Sequence, residues 1–311
     1  MKDKRSFREK LLRIKADRQL YYLLLIPFAY LIIFKYVPML GMQIAFRGYS
    51  SRLGIWSSPW VGFKYIVQFF DAYKSWQIIA NTLILSLGLV LFSFPAPILF
   101  ALIMNSLDSI QFKKITQTIV TMPHFISTVV VVGMMFQLLN ARTGAYGSIV
   151  RSLTGTYPPN LFTSISSFRI MYIASDVWQS FGWNAIIYIA ALSGVDPALH
   201  ESAQIDGASR LKRLIHIDFP SILPTVIIML ILRMGSIMTI GFEKIYLMQN
   251  SLNIDGSEVI STYVYKIGLS SAGLSDFSYS TAIGLFNSII NLLLVTTVNY
   301  ISGRVSESSL W

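Results

Sequence analysis

The sequence contains no cysteine, which excludes a disulfide framework, a thiolate metal site and a cysteine nucleophile. It is also poor in charge. Only 13% of its 311 residues are Asp, Glu, Lys or Arg, about half the share expected of a soluble domain. Histidine is scarce: His124, His200 and His216 are scattered without ligand-like spacing, so no metal site is expected. No G-x-x-x-x-G-K-[ST] loop occurs, and the chain cannot hydrolyse ATP by that route. Nucleophile-elbow and H-E-x-x-H motifs are absent as well, which leaves an enzymatic reading without residues to carry it. No internal repeat or low-complexity segment is evident.

What the chain has in quantity is apolar sequence. Hydrophobic residues make up 54% of it, with a mean hydropathy of +0.58. They fall into several runs, each long enough to cross a bilayer as a helix, about 20 residues. In lipid the backbone must satisfy its own hydrogen bonds. The expectation is therefore an all-α integral membrane protein with six transmembrane helices, at about 20–38, 77–104, 115–139, 168–193, 221–243 and 279–302. The first run lacks a small-x-small cleavage site and contains Pro27 and Lys35, so it reads as a retained span rather than a signal peptide.

The net charge of +10 has a simple source. Eight Lys and Arg residues lie within the first 18 positions, interleaved with Phe7, Leu11, Leu12 and Ile14. Such a segment (1–19) anchors to anionic lipid on the inner surface and needs no nucleic acid to explain it. The short connections carrying Lys113, Lys114, Arg210, Lys212 and Arg213 are denser in positive charge than the longer ones between them. The positive-inside rule then puts both termini in the cytoplasm. The core is thus 20–302, followed by a short tail, 303–311. The outer connections hold many aromatics, among them Trp56, Trp60, Phe63, Trp76, Tyr246 and Tyr263. An interfacial belt explains them best; a docking surface for an external partner or a stacking platform for a sugar is the alternative.

Charges inside the spans are few. Asp176 falls in the fourth, Arg233 near the middle of the fifth and Glu243 at its end. An intramembrane charge needs a partner or a wet cavity. Spans four and five run in opposite directions, which brings Asp176 and Arg233 to comparable depth, either as a pair or within one polar cavity. Trp178, Trp183, Asn184 and Tyr188 lie close by in sequence. Amides and aromatic faces of this kind serve as interhelical contacts or line a path for a hydroxyl-rich solute. At 100° per residue they do not all share one face.

The most informative stretch is the polar loop 194–220. Asp196-Pro197 reads as a capped helix start. Gly207 permits a tight bend or a close approach by a partner. A second short helix is expected from about 208, with Pro220 and Pro224 marking entry to the fifth span. Two small helices at a bend suit insertion into a cleft on another protein.

This loop resembles the cytoplasmic signature of ATP-binding-cassette importer permeases: Glu201-Ser202-Ala203, Asp206-Gly207-Ala208 and Ile217-Asp218-Phe219-Pro220 stand for the family's Glu-Ala-Ala, Asp-Gly-Ala and Ile-x-Leu-Pro. The segments Ser175–Trp178, Gly182–Asn184, Tyr188–Leu192, Gly241–Ile245 and Thr262–Tyr265 are similar to the subgroup that imports oligosaccharides or polysaccharide fragments in Gram-positive-type bacteria. The resemblance implies a type I importer permease fold in the bacterial cell membrane. It implies a second homologous permease as heterodimer partner, two ATP-binding-cassette subunits that use ATP and Mg, and an extracellular solute-binding lipoprotein. No cofactor is expected on this chain itself. Glu201, Ser202, Ala203, Asp206, Gly207, Ala208, Arg210 and Pro220 would form the ATPase-coupling surface. Asp176, Trp178, Trp183, Asn184, Tyr188, Arg233 and Glu243 are the candidates for the substrate pathway. Two other classes stay open on the residues alone: an ion- or proton-coupled carrier dependent on Asp176 or Glu243, and a membrane scaffold with no solute flux.

Overall fold

Among the described residues of the computed structural model every regular element is helical, and one isolated β-bridge joins Arg47 to Trp60. The structure describes residues 17–270, 276–305 and 310. The basic segment expected at 1–19 lies almost wholly outside the described residues, and so does most of the tail.

In chain order the principal helices are α1 (Arg18–Phe46), α2 (Lys64–Asp71), α3 (Ser75–Ser106), α4 (Ile110–Phe125), α5 (Thr128–Leu138), α6 (Ala145–Thr154), α7 (Ile165–Leu192), α8 (Pro197–Ile205), α9 (Arg210–Met234), α10 (Phe242–Met248), α11 (Ile260–Tyr265) and α12 (Phe277–Val305). Helices α1, α3, α9 and α12 are each long and apolar enough to cross a membrane, and α4 with α5 forms a bent fifth candidate. Helix α7, at 28 residues, is long enough to span, since 20 residues reach about 30 Å. It is more polar because it lies in the middle of the bundle, packed against α3, α4 and α9.

Two span boundaries differ from the sequence expectation, each for a local reason. The third span is not one straight helix over 115–139. It bends by 96° between α4 and α5. Pro123 ends the regular helix in a tighter turn, and Ser127 restarts it by accepting the Val130 amide at 3.4 Å. The fifth span stops at Met234 rather than running to 243. Residues 235–241 form an irregular stretch whose backbone is held by side chains: Asn291 Oδ1 accepts from Met238 N at 3.0 Å, and the Ser86 hydroxyl donates to the Ile237 carbonyl. Broken backbone at this depth persists only where protein groups satisfy it. Glu243 consequently belongs to α10, beyond the break.

Three of the prolines inside long helices are accommodated by a repeated device. Wide, π-type turns cover Ile32–Tyr36, Leu89–Ser93 and Leu214–Asp218. Each ends two residues before a proline: Pro38, Pro95 and Pro220. A proline has no N–H and clashes with the carbonyl four residues earlier; that carbonyl falls within the widened turn in all three cases. The helices therefore continue through their prolines.

The core has two parts. On the coupling-loop side, Ile98, Ala101, Leu102, Ala185, Tyr188, Leu192, Ile222 and Val226 join α3, α7 and α9. At the opposite end of the bundle, Leu85, Phe168, Tyr172, Ile245, Met248 and Val259 join α3 and α7 to α10 and the start of α11. A neighbouring cluster seats Phe69 and Ile260 against Tyr279 and Ile283 of α12. Part of the outer aromatic set is therefore packing, while Trp56, Trp60, Phe63, Tyr73 and Trp76 stay exposed. Helix α1 buries none of its residues before the last turn and meets α12 chiefly at 40–46.

Candidate functional site

The loop after α7 is ordered from its first residue to its last. The Asp196 side chain accepts from Ala198 N at 2.9 Å, with Pro197 at the first helical position of α8. Helix α8 closes in a Schellman motif: Ala208 N donates to Ala203 O at 2.8 Å and Gly207 N to Gln204 O at 3.0 Å. That motif requires a left-handed residue, and Gly207 supplies it with φ of 74°. Ser209 then caps α9.

The second small helix expected from 208 is not separate. Residues 210–213 open a continuous 25-residue helix that becomes the fifth span, because the wide turn at Leu214–Asp218 absorbs Pro220. The loop is thus one short helix joined by one turn to a long lever.

Of the coupling candidates, Glu201, Ser202, Asp206, Gly207 and Arg210 are exposed, and Ala203 and Ala208 are half-buried. Pro220 lies in the first turn of the regular helical stretch after the wide turn. Arg210 Nη2 lies 2.6 Å from Asp108 Oδ2 in the connection between α3 and α4, both side chains largely exposed. Leu199 and Ile205 of α8 are exposed too, Ile205 by 87%. Two apolar side chains projecting from a polar loop suit a partner surface better than water.

Beneath α8 lies a clasp that the sequence reading missed. Asp218, almost fully buried, accepts from Asn105 Nδ2 at 2.9 Å and sits 3.2 Å from His200 Nε2. Its one carboxylate ties α8 to α9 and to the end of α3. A polar cavity of about 430 Å³ adjoins it, lined by Asp108, Glu201 and Arg213 among others. The signal was present as an acid inside the Ile217–Pro220 signature, but its partners are distant in sequence.

Deeper in the bundle, four of the seven pathway candidates converge. Asp176, Asn184, Tyr188 and Arg233 line one cavity of about 310 Å³, together with Ser93, Ser180 and Ser236. A second, smaller cavity also has Asp176 and Arg233 in its wall. The expected alternatives for these two charges are thereby resolved. They share a cavity, and no Asp176–Arg233 ion pair within 4.0 Å is present among the described residues. Asp176 instead accepts from the Ser93 hydroxyl at 2.7 Å.

The other three candidates sit elsewhere. Trp178 borders an apolar groove with Met134 and Ile170. Trp183 stacks on His124 with ring centroids 4.5 Å apart. Glu243 lines an adjoining cavity with His124, Ser127, Gln179 and Ser180. Ser180 is common to that cavity and the Asp176–Arg233 cavity. Another charge of α7, Arg169, is held near the start of that helix, where its Nη2 donates to Asn81 Oδ1 at 2.9 Å.

A helical membrane bundle with a charged central cavity and a stiff polar loop defines a transport permease. The chain belongs to the family described as binding-protein-dependent transport system inner membrane component, whose model matches residues 98–307. It is an integral membrane subunit; in this family ATP hydrolysis belongs to separate subunits. It is similar to the polygalacturonan/rhamnogalacturonan transport system permease protein YteP of Bacillus subtilis (strain 168), 40% identical over 99% of this chain and 95% of that one. It is also similar to a chain of a bacterial ABC transporter involved in import of the acidic polysaccharide alginate, at 38% identity, TM-score 0.87, and 96% and 99% coverage. A chain of a bacterial alginate ABC transporter in complex with an alginate pentasaccharide-bound periplasmic protein matches at 37% identity and TM-score 0.87, covering 96% of this chain and 98% of that one.

Proposed function

We propose that this chain is one permease subunit of an ATP-driven importer that moves an oligosaccharide or polysaccharide fragment through the cavity around Asp176, Asn184 and Arg233. A second, homologous permease completes the translocation path. Two ATPase subunits, which alone use ATP and Mg, grip α8 from the cytoplasm. An external solute-binding lipoprotein delivers the sugar to the exposed aromatics of the outer connections. Both termini face the cytoplasm, and residues 20–302 form the transmembrane unit.

The observation that carries this reading is the continuity from α8 through the Gly207 turn into α9. Glu201, Ser202, Ala203, Asp206, Gly207, Ala208 and Arg210 lie in α8, its turn and the start of α9, and Pro220 lies further along that helix. A displacement of α8 by its partner therefore reaches Arg233 along a single rod. Relatives named for transport of polygalacturonan/rhamnogalacturonan and for import of the acidic polysaccharide alginate support a saccharide substrate. Uptake of labelled oligosaccharide in cells with and without the ATPase tests it. Loss of uptake without the ATPase is the expected result; uptake that persists would favour an ion-coupled carrier acting through Asp176 or Glu243.

A further inference from the structure

We propose that Arg233 reads substrate charge: its guanidinium binds a carboxylate of an acidic sugar chain as the chain passes through the cavity. This rests on the saccharide reading above and narrows it to uronate-type chains.

The argument begins with a missing partner. Arg233 borders both central cavities and makes no ion pair within 4.0 Å among the described residues. Asp176, the acid that shares both cavities with it, accepts from the Ser93 hydroxyl and lies within electrostatic reach of the buried Lys244. A guanidinium at membrane depth needs an anion or a wet cavity. Here a cavity is built beside it.

Other charges nearby do not replace it in this role. Burial pushes the Lys244 amine toward its neutral form, with Asp176 opposing, and Lys244 lines neither of the two central cavities. Glu243 lies in the adjoining cavity. Around Arg233 the cavity offers the Ser180 and Ser236 hydroxyls and the Asn184 amide, groups that match sugar hydroxyls. At about 310 Å³ it lies at the low end of ligand pockets, about 300–1,000 Å³. It holds a segment of a chain in passage. A planar fork facing that segment suits a carboxylate bound through two parallel hydrogen bonds.

The test uses the complete importer, with its partner subunits and binding protein, in proteoliposomes. Uptake is measured for trigalacturonate, trimannuronate, their methyl esters and maltotriose, in wild type, Arg233→Gln and Arg233→Lys. Wild type is expected to prefer acids over esters. Arg233→Gln lowers acid uptake at least about tenfold through a raised KM, the scale of one charge-assisted hydrogen bond. Its ester uptake changes less than about twofold on the same scale. Arg233→Lys, keeping charge without the fork, falls between. Equal losses for acid and ester in both variants would overturn the proposal and assign Arg233 to contacts between subunits. Wild-type uptake of maltotriose but of no uronate would overturn it while leaving the saccharide reading intact. Uptake of none of the sugars would overturn both.

Discussion

At the scale of single residues, Gly207 and Asp218 govern the loop for different reasons. Gly207 has a left-handed backbone and open space around its missing side chain. A β-branched residue there meets a conformational penalty of about 1–2 kcal/mol, whereas Asp tolerates it better. Gly207→Val therefore probes the turn, and Gly207→Asp probes the close approach of a partner. Both are expected to reach the membrane in wild-type amount and to reduce uptake more than about tenfold, a loss of about 1.4 kcal/mol in coupling. Quantitative blotting alongside transport checks this. Asp218→Leu leaves the Asn105 amide and His200 imidazole without an acceptor. Each buried unpaired group costs about 1–3 kcal/mol. The purified protein should melt at lower temperature, and ATP turnover should continue with less sugar moved per ATP. Asp218→Asn keeps an acceptor oxygen and should retain most of both. Gly207 was legible in the sequence because its backbone demand is local. Asp218 was not, since burial and its partners 18 and 113 positions away exist only after folding.

At the scale of helices, the sequence signals with a fixed period or a cap survived, and those that depended on neighbours did not. The Asp196-Pro197 start of α8 needed only the two residues themselves. The ends of the third and fifth spans needed knowledge of what else could satisfy open backbone. Asn291 supplies it for residues 235–241, donating to Thr239 Oγ1 at 2.9 Å and accepting from Met238 N at 3.0 Å. Asn291→Leu should lower the melting temperature of the purified complex, whereas Ser288→Ala, on the exposed side of α12 and bonded only within its own helix, should leave it unchanged. Helix α7 owes its central place to small residues as much as to apolar ones. A Cβ at Gly182 would stand 2.2 Å from the Val120 carbonyl oxygen of α4, a contact that rigid helix backbones cannot relieve. Gly182→Val should abolish assembly, measured as loss of the monodisperse complex on size-exclusion chromatography, because close helix approach in membranes depends on such positions.

At the scale of the whole molecule, the chain is built as part of an assembly. Helix α1 exposes nearly all its large apolar side chains, from 38% at Met42 to 74% at Ile26, and its main contact with the bundle is through residues 40–46. Composition already announced a membrane protein, and the loop signature announced its family. The central cavity was legible as residues but not as a place: Asp176, Asn184, Tyr188 and Arg233 come together, while Trp178, Trp183 and Glu243 turn to other faces of α7 and α10. Which faces those would be depended on the breaks at 126–127 and 235–241.

The absence of native cysteine makes the decisive measurement clean. A single cysteine in place of the exposed Ser202 can be probed in whole cells with a membrane-impermeant thiol reagent, and in inverted membrane vesicles with a bifunctional maleimide. The account predicts protection from the reagent outside intact cells and a cross-link to the ATPase subunit in vesicles, strengthened when nucleotide is added. Labelling of that cysteine from outside the cell, or its cross-linking to no ATPase under any nucleotide condition, would contradict it.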